Sequence, residues 1–138
     1  MNENIDFGHW ICNIPTVPDA IGFIYKITNL IDNRQYIGKK LQVFKTSKKA
    51  LKNRTNKRRG TKVSDWKTYT GSSKSLNTDI ETLGKENFKF EILHWCKNKM
   101  ELSFYETKFI IDYDAIFSKK FYNEYLSCRF RCHSQNKK

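Results

Sequence analysis

The sequence predicts an α+β domain. Three observations carry this: an apolar hairpin with turn residues over 22–39, an alternating apolar run at Phe88–Cys96, and a capped, helix-periodic segment on each side of that run. Residues 1–20, with Pro15 and Pro18, read as an irregular lead-in. Gly22–Thr28 is rich in aromatic and β-branched residues and reads as a strand. Asp32-Asn33 supplies turn chemistry, and Gln35–Lys39 reads as the return strand. The basic segment that follows is expected to be partly helical, with Gly60 as a break. The serine cluster Ser72–Ser75 caps a helix over about Leu76–Leu83 that stops at Gly84. Phe88, Phe90 and Ile92 share one face of the third strand. Asn98 and Glu101 have capping-box spacing, and the helix they open is expected to run to about Phe117. Tyr122-Asn123 lies in a short closing tail. With no internal repeat or linker, one domain over 1–138 is expected, with its core at about 21–125 and a basic insert at 39–67.

A chain of 138 residues can bury a core without metals or disulfides. No stretch approaches the roughly 20 apolar residues of a bilayer span, which argues against a membrane partner. MNENIDFGHW has no basic region followed by an apolar one, so an intracellular, cytoplasmic location is expected. Cys12, Cys96, Cys128 and Cys132 are too few for a disulfide scaffold and are expected as reduced thiols. His9-x2-Cys12 and Cys128-x3-Cys132 are spaced too loosely to predict a structural zinc, and packing as small hydrophobes is the simpler role for the thiols. His94 and His133 carry no motif.

The net charge is +12, and Lys39–Lys67 holds 12 Lys/Arg against one acid, Asp65. A surplus this local has the form of an electrostatic footprint for a polyanion. The candidate nucleic-acid contacts are Lys40, Lys48, Lys49, Lys52, Arg54, Lys57, Arg58, Arg59, Lys62 and Lys67, with Lys74 just beyond. Leu41, Val43, Phe44, Ala50 and Leu51 make a poor amphipathic stripe, which disfavours a membrane surface.

On a helical wheel, Leu102, Tyr105, Phe109, Ile110, Tyr113, Ile116 and Phe117 fall within an arc of about 140°. Glu106 falls inside it, whereas Glu101, Lys108, Asp112 and Asp114 do not. A core-facing carboxylate is costly unless it pairs with a cation, accepts hydrogen bonds, stays protonated or binds a metal. Tyr25 and Tyr36 share a sheet face if the hairpin pairs residues whose numbers sum to an odd value. Such phenols either pack, as strand tyrosines do, or form a proton-handling site. A free phenol titrates near about 10, and Lys39 and Lys40 are expected to lower that by favouring the phenolate.

Gly22-Phe23-Ile24-Tyr25, ten intervening residues, then Tyr36-Ile37-Gly38 resembles the paired motif that names the GIY-YIG nuclease family, with one residue inserted in the first element. Trp66…Tyr69-Thr70-Gly71-Ser72-Ser73-Lys74, Gly84-Lys85-Glu86-Asn87-Phe88, Glu106 and Tyr122-Asn123 resemble further family segments in order, over about Ile21 to Tyr125. The resemblance implies a small three-stranded antiparallel sheet flanked by helices. It implies a metal-dependent endonuclease hydrolysing DNA phosphodiester bonds, with one Mg²⁺ or Mn²⁺ on Glu106. Tyr25 would activate the attacking water, Tyr36 would hydrogen-bond the phosphate or share that task, and Asn123 would position the metal site or its helix. Many family members carry an Arg and, four residues on, a His or Tyr after the second motif. The segment directly after this chain's second motif has no such pair, and Lys39 and Tyr69 are the candidates to replace it.

The implied substrate is double-stranded DNA, and small stand-alone members are associated with phages and with homing or host-DNA degradation. No attached DNA-binding domain is expected from the flanks of about 21 and 15 residues, which leaves four alternatives open: cutting with low selectivity, site choice by the basic insert, a homodimer that cuts both strands, or a specificity partner. Two readings without catalysis stand beside this: a nucleic-acid-binding module using the 39–67 segment, and a basic protein docking on an acidic partner.

Overall fold

The computed structural model describes residues 5–17, 19–48, 52, 58–124 and 126, without the side chains of 44–48, 58 and 59. Its strands are β1 (Ile11–Cys12), β2 (Gly22–Asn29), β3 (Gln35–Leu41), β4 (Val43–Lys48), β5 (Arg58–Val63) and β6 (Phe88–Cys96). The helices are α1 (Lys74–Leu83) and α2 (Lys99–Asp112). The main sheet has the order β1-β6-β2-β3. β6, β2 and β3 form the expected antiparallel core, but β1 pairs parallel to β6, so the sheet is mixed and four-stranded. The lead-in is thus not wholly irregular.

The β2–β3 register pairs Tyr25 with Gly38 and Ile27 with Tyr36, which puts both tyrosines on one face. Asn33 takes the left-handed conformation the turn requires, at φ 65°. Between β2 and β6 the register shifts at Ile24/Tyr25. Because of this bulge Trp95 joins the face of Phe88, Phe90 and Ile92 although strict alternation would turn it away.

Each face of the sheet buries its own cluster. On one, Phe23, Tyr25 and Ile27 pack with Trp10, Trp66, Trp95 and Leu76 of α1. On the other, Ile24 and Ile37 pack with Leu102 and Ile110 of α2. Ser73 caps α1 by accepting from Leu76 N, and Asn98 caps α2 by accepting from Glu101 N at 2.8 Å. Glu101 returns the bond to Lys97 N rather than to the cap residue. α2 ends at Asp112, short of the expected Phe117, and Asp114 turns the chain at φ 54°. Phe117 is therefore 88% exposed instead of extending the buried stripe.

The basic segment differs from its expected partial helix. β4 and β5 pair antiparallel as a separate ribbon, with Thr46 opposite Gly60, so Gly60 sits inside a strand. Val43, Phe44 and Thr46 of β4 and Thr61 and Val63 of β5 are residue types that favour strands, and pairing overrides the local charge pattern.

Candidate active site

β3 is an edge strand of the main sheet, and its outward backbone groups organise the site. Gln35 N–H donates to the Lys120 carbonyl at 2.8 Å. Ile37 N–H donates to Asn123 Oδ1 at 3.0 Å, and Asn123 Nδ2 donates to the Ile37 carbonyl at 2.9 Å. Lys39 N–H donates to the Glu106 carboxylate. The closing tail and α2 thus claim three successive outward N–H groups, and Glu106 is drawn to the strand edge.

Glu106 is half-buried, and burial raises its pKa above the ordinary carboxylate value, partly offset by the Lys39 charge and N–H. Lys39 Nζ itself donates to Ser103 Oγ at 3.1 Å, one turn back along α2. Glu106 lines a cleft of about 600 Å³ with Tyr36, Asn123, Glu124 and the Ser72–Ser75 turn that opens α1. Tyr36 and Ser72 hydroxyls stand 3.2 Å apart on its wall.

Tyr25 lies behind that wall, 1% exposed, with its ring centre 6.1 Å from those of Tyr36 and Tyr69. Its hydroxyl is hydrogen-bonded with Tyr69. The lowered phenol pKa expected from neighbouring lysines does not hold here: burial pushes Tyr25 well above the usual value, and the Tyr36, Tyr69 and Glu106 charges push the same way. Lys40 instead sits 3.9 Å over the Tyr69 ring and pairs with Asp65 at 2.8 Å. The motif glycines keep room for the phenols. A Cβ at Gly38 would collide with the Tyr25 hydroxyl, and one at Gly71, where φ is +87°, would come within 3.2 Å of both Tyr25 and Tyr36.

Of the expected site residues, Tyr36, Glu106 and Asn123 line this one cleft, Lys39 reaches it through Glu106, and Tyr25 and Tyr69 lie behind Tyr36 rather than on its wall. Among the basic residues, Lys74 opens α1 beside the cleft, Lys52 and Lys62 are exposed, and Lys67 pairs with Asp6 at 3.0 Å. Lys48, Arg58 and Arg59 belong to the β4–β5 ribbon, and Lys49, Arg54 and Lys57 lie outside the described residues. Cys128, Cys132 and His133 also lie outside them. Cys12 Sγ contacts the Ile14 carbonyl at 3.3 Å, and His9 stacks on Phe90 at 4.0 Å.

Sequence reasoning missed the network behind Tyr122. Its hydroxyl donates to Asp79 Oδ2 at 2.6 Å and accepts from Asn29 Nδ2 at 3.1 Å, while Arg34 donates to the same Asp79 oxygen. This ties the hairpin turn and α1 to the closing tail. Asn29 is wholly buried, and its position at the end of a strand is the one signal that was available.

A family model described as "Putative endonuclease segE, GIY-YIG domain" matches residues 10–126. By class the domain is that of a nuclease of the endonuclease kind. The chain belongs to the GIY-YIG family. Searches of curated proteins and of solved structures return no match.

Proposed function

We propose that this protein hydrolyses DNA phosphodiester bonds in the cleft between the β3 edge, α2 and the first turn of α1, with a divalent cation on Glu106. The convergence of Glu106, Tyr36 and Ser72 on one cleft carries the reading. Glu106 suits such an ion: its charge is disfavoured by burial and met by the Lys39 N–H, and Glu124 lines the same cleft. Mg²⁺ keeps several waters and needs only one or two carboxylates. When bound, Mg²⁺ or Mn²⁺ would supply Lewis acidity at the phosphate and positive charge beside the phenols.

The chain's own groups do the rest. Ser72 and Tyr36 hydroxyls orient the phosphate by hydrogen bonding. Lys74 and the capped N-terminus of α1 favour its negative charge. Tyr36 is the phenol that a water in the cleft reaches, with neutral Tyr25 behind it. In its phenolate form, which positive charge in the cleft would favour, Tyr36 takes the proton of the attacking water as the new P–O bond forms. The P–O bond to the leaving oxygen breaks, and that oxygen takes a proton from solvent in the cleft. Lys39 holds Glu106 through its N–H and adds a cation beside it. The substrate is double-stranded DNA gripped partly through the β4–β5 ribbon, and cutting both strands would take a second copy or a partner.

The test is nicking of supercoiled plasmid with Mg²⁺, Mn²⁺ or EDTA, by wild type and by Glu106→Ala. Cleavage is expected only with metal and only in wild type, with DNA binding retained in the variant. Metal-dependent cleavage by Glu106→Ala would remove Glu106 as the ligand. No cleavage by wild type in any condition would leave a nucleic-acid-binding module.

A further inference from the structure

A second, larger groove of about 880 Å³ lies between the foot of the β4–β5 ribbon and the first turn of α2. Lys39, Lys40, Lys62 and Lys99 line it, with Ser103. The carboxylate among its lining residues, Asp65, is already paired with Lys40 at 2.8 Å. Lys62 and Lys99 are exposed. The groove therefore presents surplus positive charge together with the apolar surface of Leu41 and Val63, a chemistry that fits a sugar–phosphate chain.

Its position relative to Glu106 is set by α2. Lys99, Ser103 and Glu106 follow one another on one side of the helix, at spacings of four and three residues. The seven residues from Lys99 to Glu106 span about 10.5 Å of helix, the axial length of about three nucleotides in duplex DNA. Lys39 joins the two sites, because its N–H meets Glu106 while its Nζ meets Ser103.

We propose that this groove holds the backbone of the cut strand about three nucleotides from the scissile phosphate, with Lys62 and Lys99 as phosphate contacts. It is a sequence-independent positioning site: phosphate contacts set register and carry no base information. The inference rests on the reading of the Glu106 cleft as the cutting site, and its binding test is independent of cleavage.

The test is Lys62→Ala/Lys99→Ala in the full chain, with Lys108→Ala/Lys119→Ala as a control on other exposed lysines. Affinity for a random-sequence duplex is measured in EDTA across a salt series. Two lost phosphate contacts should reduce the slope of log K against log salt by about 1.8 in the first variant, with no change in the control. Ethylation of single phosphates in an end-labelled duplex should block wild-type cleavage at a position about three nucleotides from the cut, and the double variant should be insensitive to that modification. An unchanged slope in a variant that still cuts would overturn the groove while leaving the nuclease reading intact. The expected fall in slope with a wild type that never cuts would keep the groove as a DNA contact and overturn the cutting reading.

Discussion

Asn123→Ala separates two roles that a cleft asparagine could have. Its side chain is 9% exposed, and both ends of its amide are spent on Ile37, at 3.0 Å to the N–H and 2.9 Å to the carbonyl. Truncation leaves a donor and an acceptor of the β3 edge without partners. Each buried unsatisfied group costs about 1–3 kcal/mol. Asn123 lines the cleft, so water reaches part of the gap and the low end of that range, about 1–1.5 kcal/mol per group, applies. The expected loss is about 2–3 kcal/mol. With about 4 °C per kcal/mol for a domain of this size, Tm falls by roughly 8–12 °C. In urea, at a slope near ~2 kcal/mol/M, the midpoint falls by about 1–1.5 M with the slope unchanged. Asn123→Asp keeps the acceptor but sets an oxygen against the Ile37 carbonyl, so at neutral pH it should lose at least as much. Cleavage, measured at a temperature where the variant is folded, should fall while the Mg²⁺ concentration for half-maximal rate moves little. A variant within about 0.5 kcal/mol of wild type, with its Mg²⁺ requirement raised tenfold, would refute the strand clamp and make Asn123 a group of the ion site.

Gly38→Ala places a methyl group against the Tyr25 hydroxyl, and overpacking of this kind costs about 1–3 kcal/mol; thermal melts should show the loss, and an unchanged Tm would mean that the phenol moves freely. Tyr25→Phe removes one oxygen and one hydrogen bond, to Tyr69, so stability should fall by only about 1 kcal/mol. The single-turnover nicking rate of that variant should fall at least a hundredfold, about 2.7 kcal/mol, and a wild-type rate would return Tyr25 to packing alone. Burial holds His9 down to about 4, so the unfolded chain takes up a proton that the folded one refuses as pH drops from about 6.5. Its contribution to stability is complete above that pH and lost toward pH 4. Urea midpoints at pH 7 and pH 4.5 should differ less in His9→Phe than in wild type, and an equal difference would exclude His9 as a source of acid sensitivity.

Side-chain alternation reports faces, and what it could report was readable from the sequence. The spacing of the two apolar runs leaves the hairpin register open, and it is the structure that selects the odd-sum pairing, Tyr25 with Gly38, that puts Tyr25 and Tyr36 on one face. The wheel placed Glu106 among Leu102 and Ile110 because a buried stripe on one helix is a local property. The same wheel failed at Phe117, because the left-handed turn at Asp114 ends the stripe. The partial helix expected for the basic segment failed for another reason: ribbon pairing rather than residue propensity decides the structure there.

A different kind of information sets the site. Tyr25 and Tyr36 belong to the α1 face of the sheet, and Glu106 comes from the helix on the other. Groups on opposite faces cannot meet through a closed sheet, so they converge only around an edge. β3 is that edge, and its N–H groups at 35, 37 and 39 are satisfied by Lys120, Asn123 and Glu106 in turn. Backbone hydrogen bonding has no residue signature, and the Ile37–Asn123 clamp joins positions 86 apart in the chain. The requirement that edge N–H groups find partners therefore brings the carboxylate round to the phenols. A variant that pairs a further strand onto β3 would satisfy the same N–H groups and should release Glu106 from the cleft.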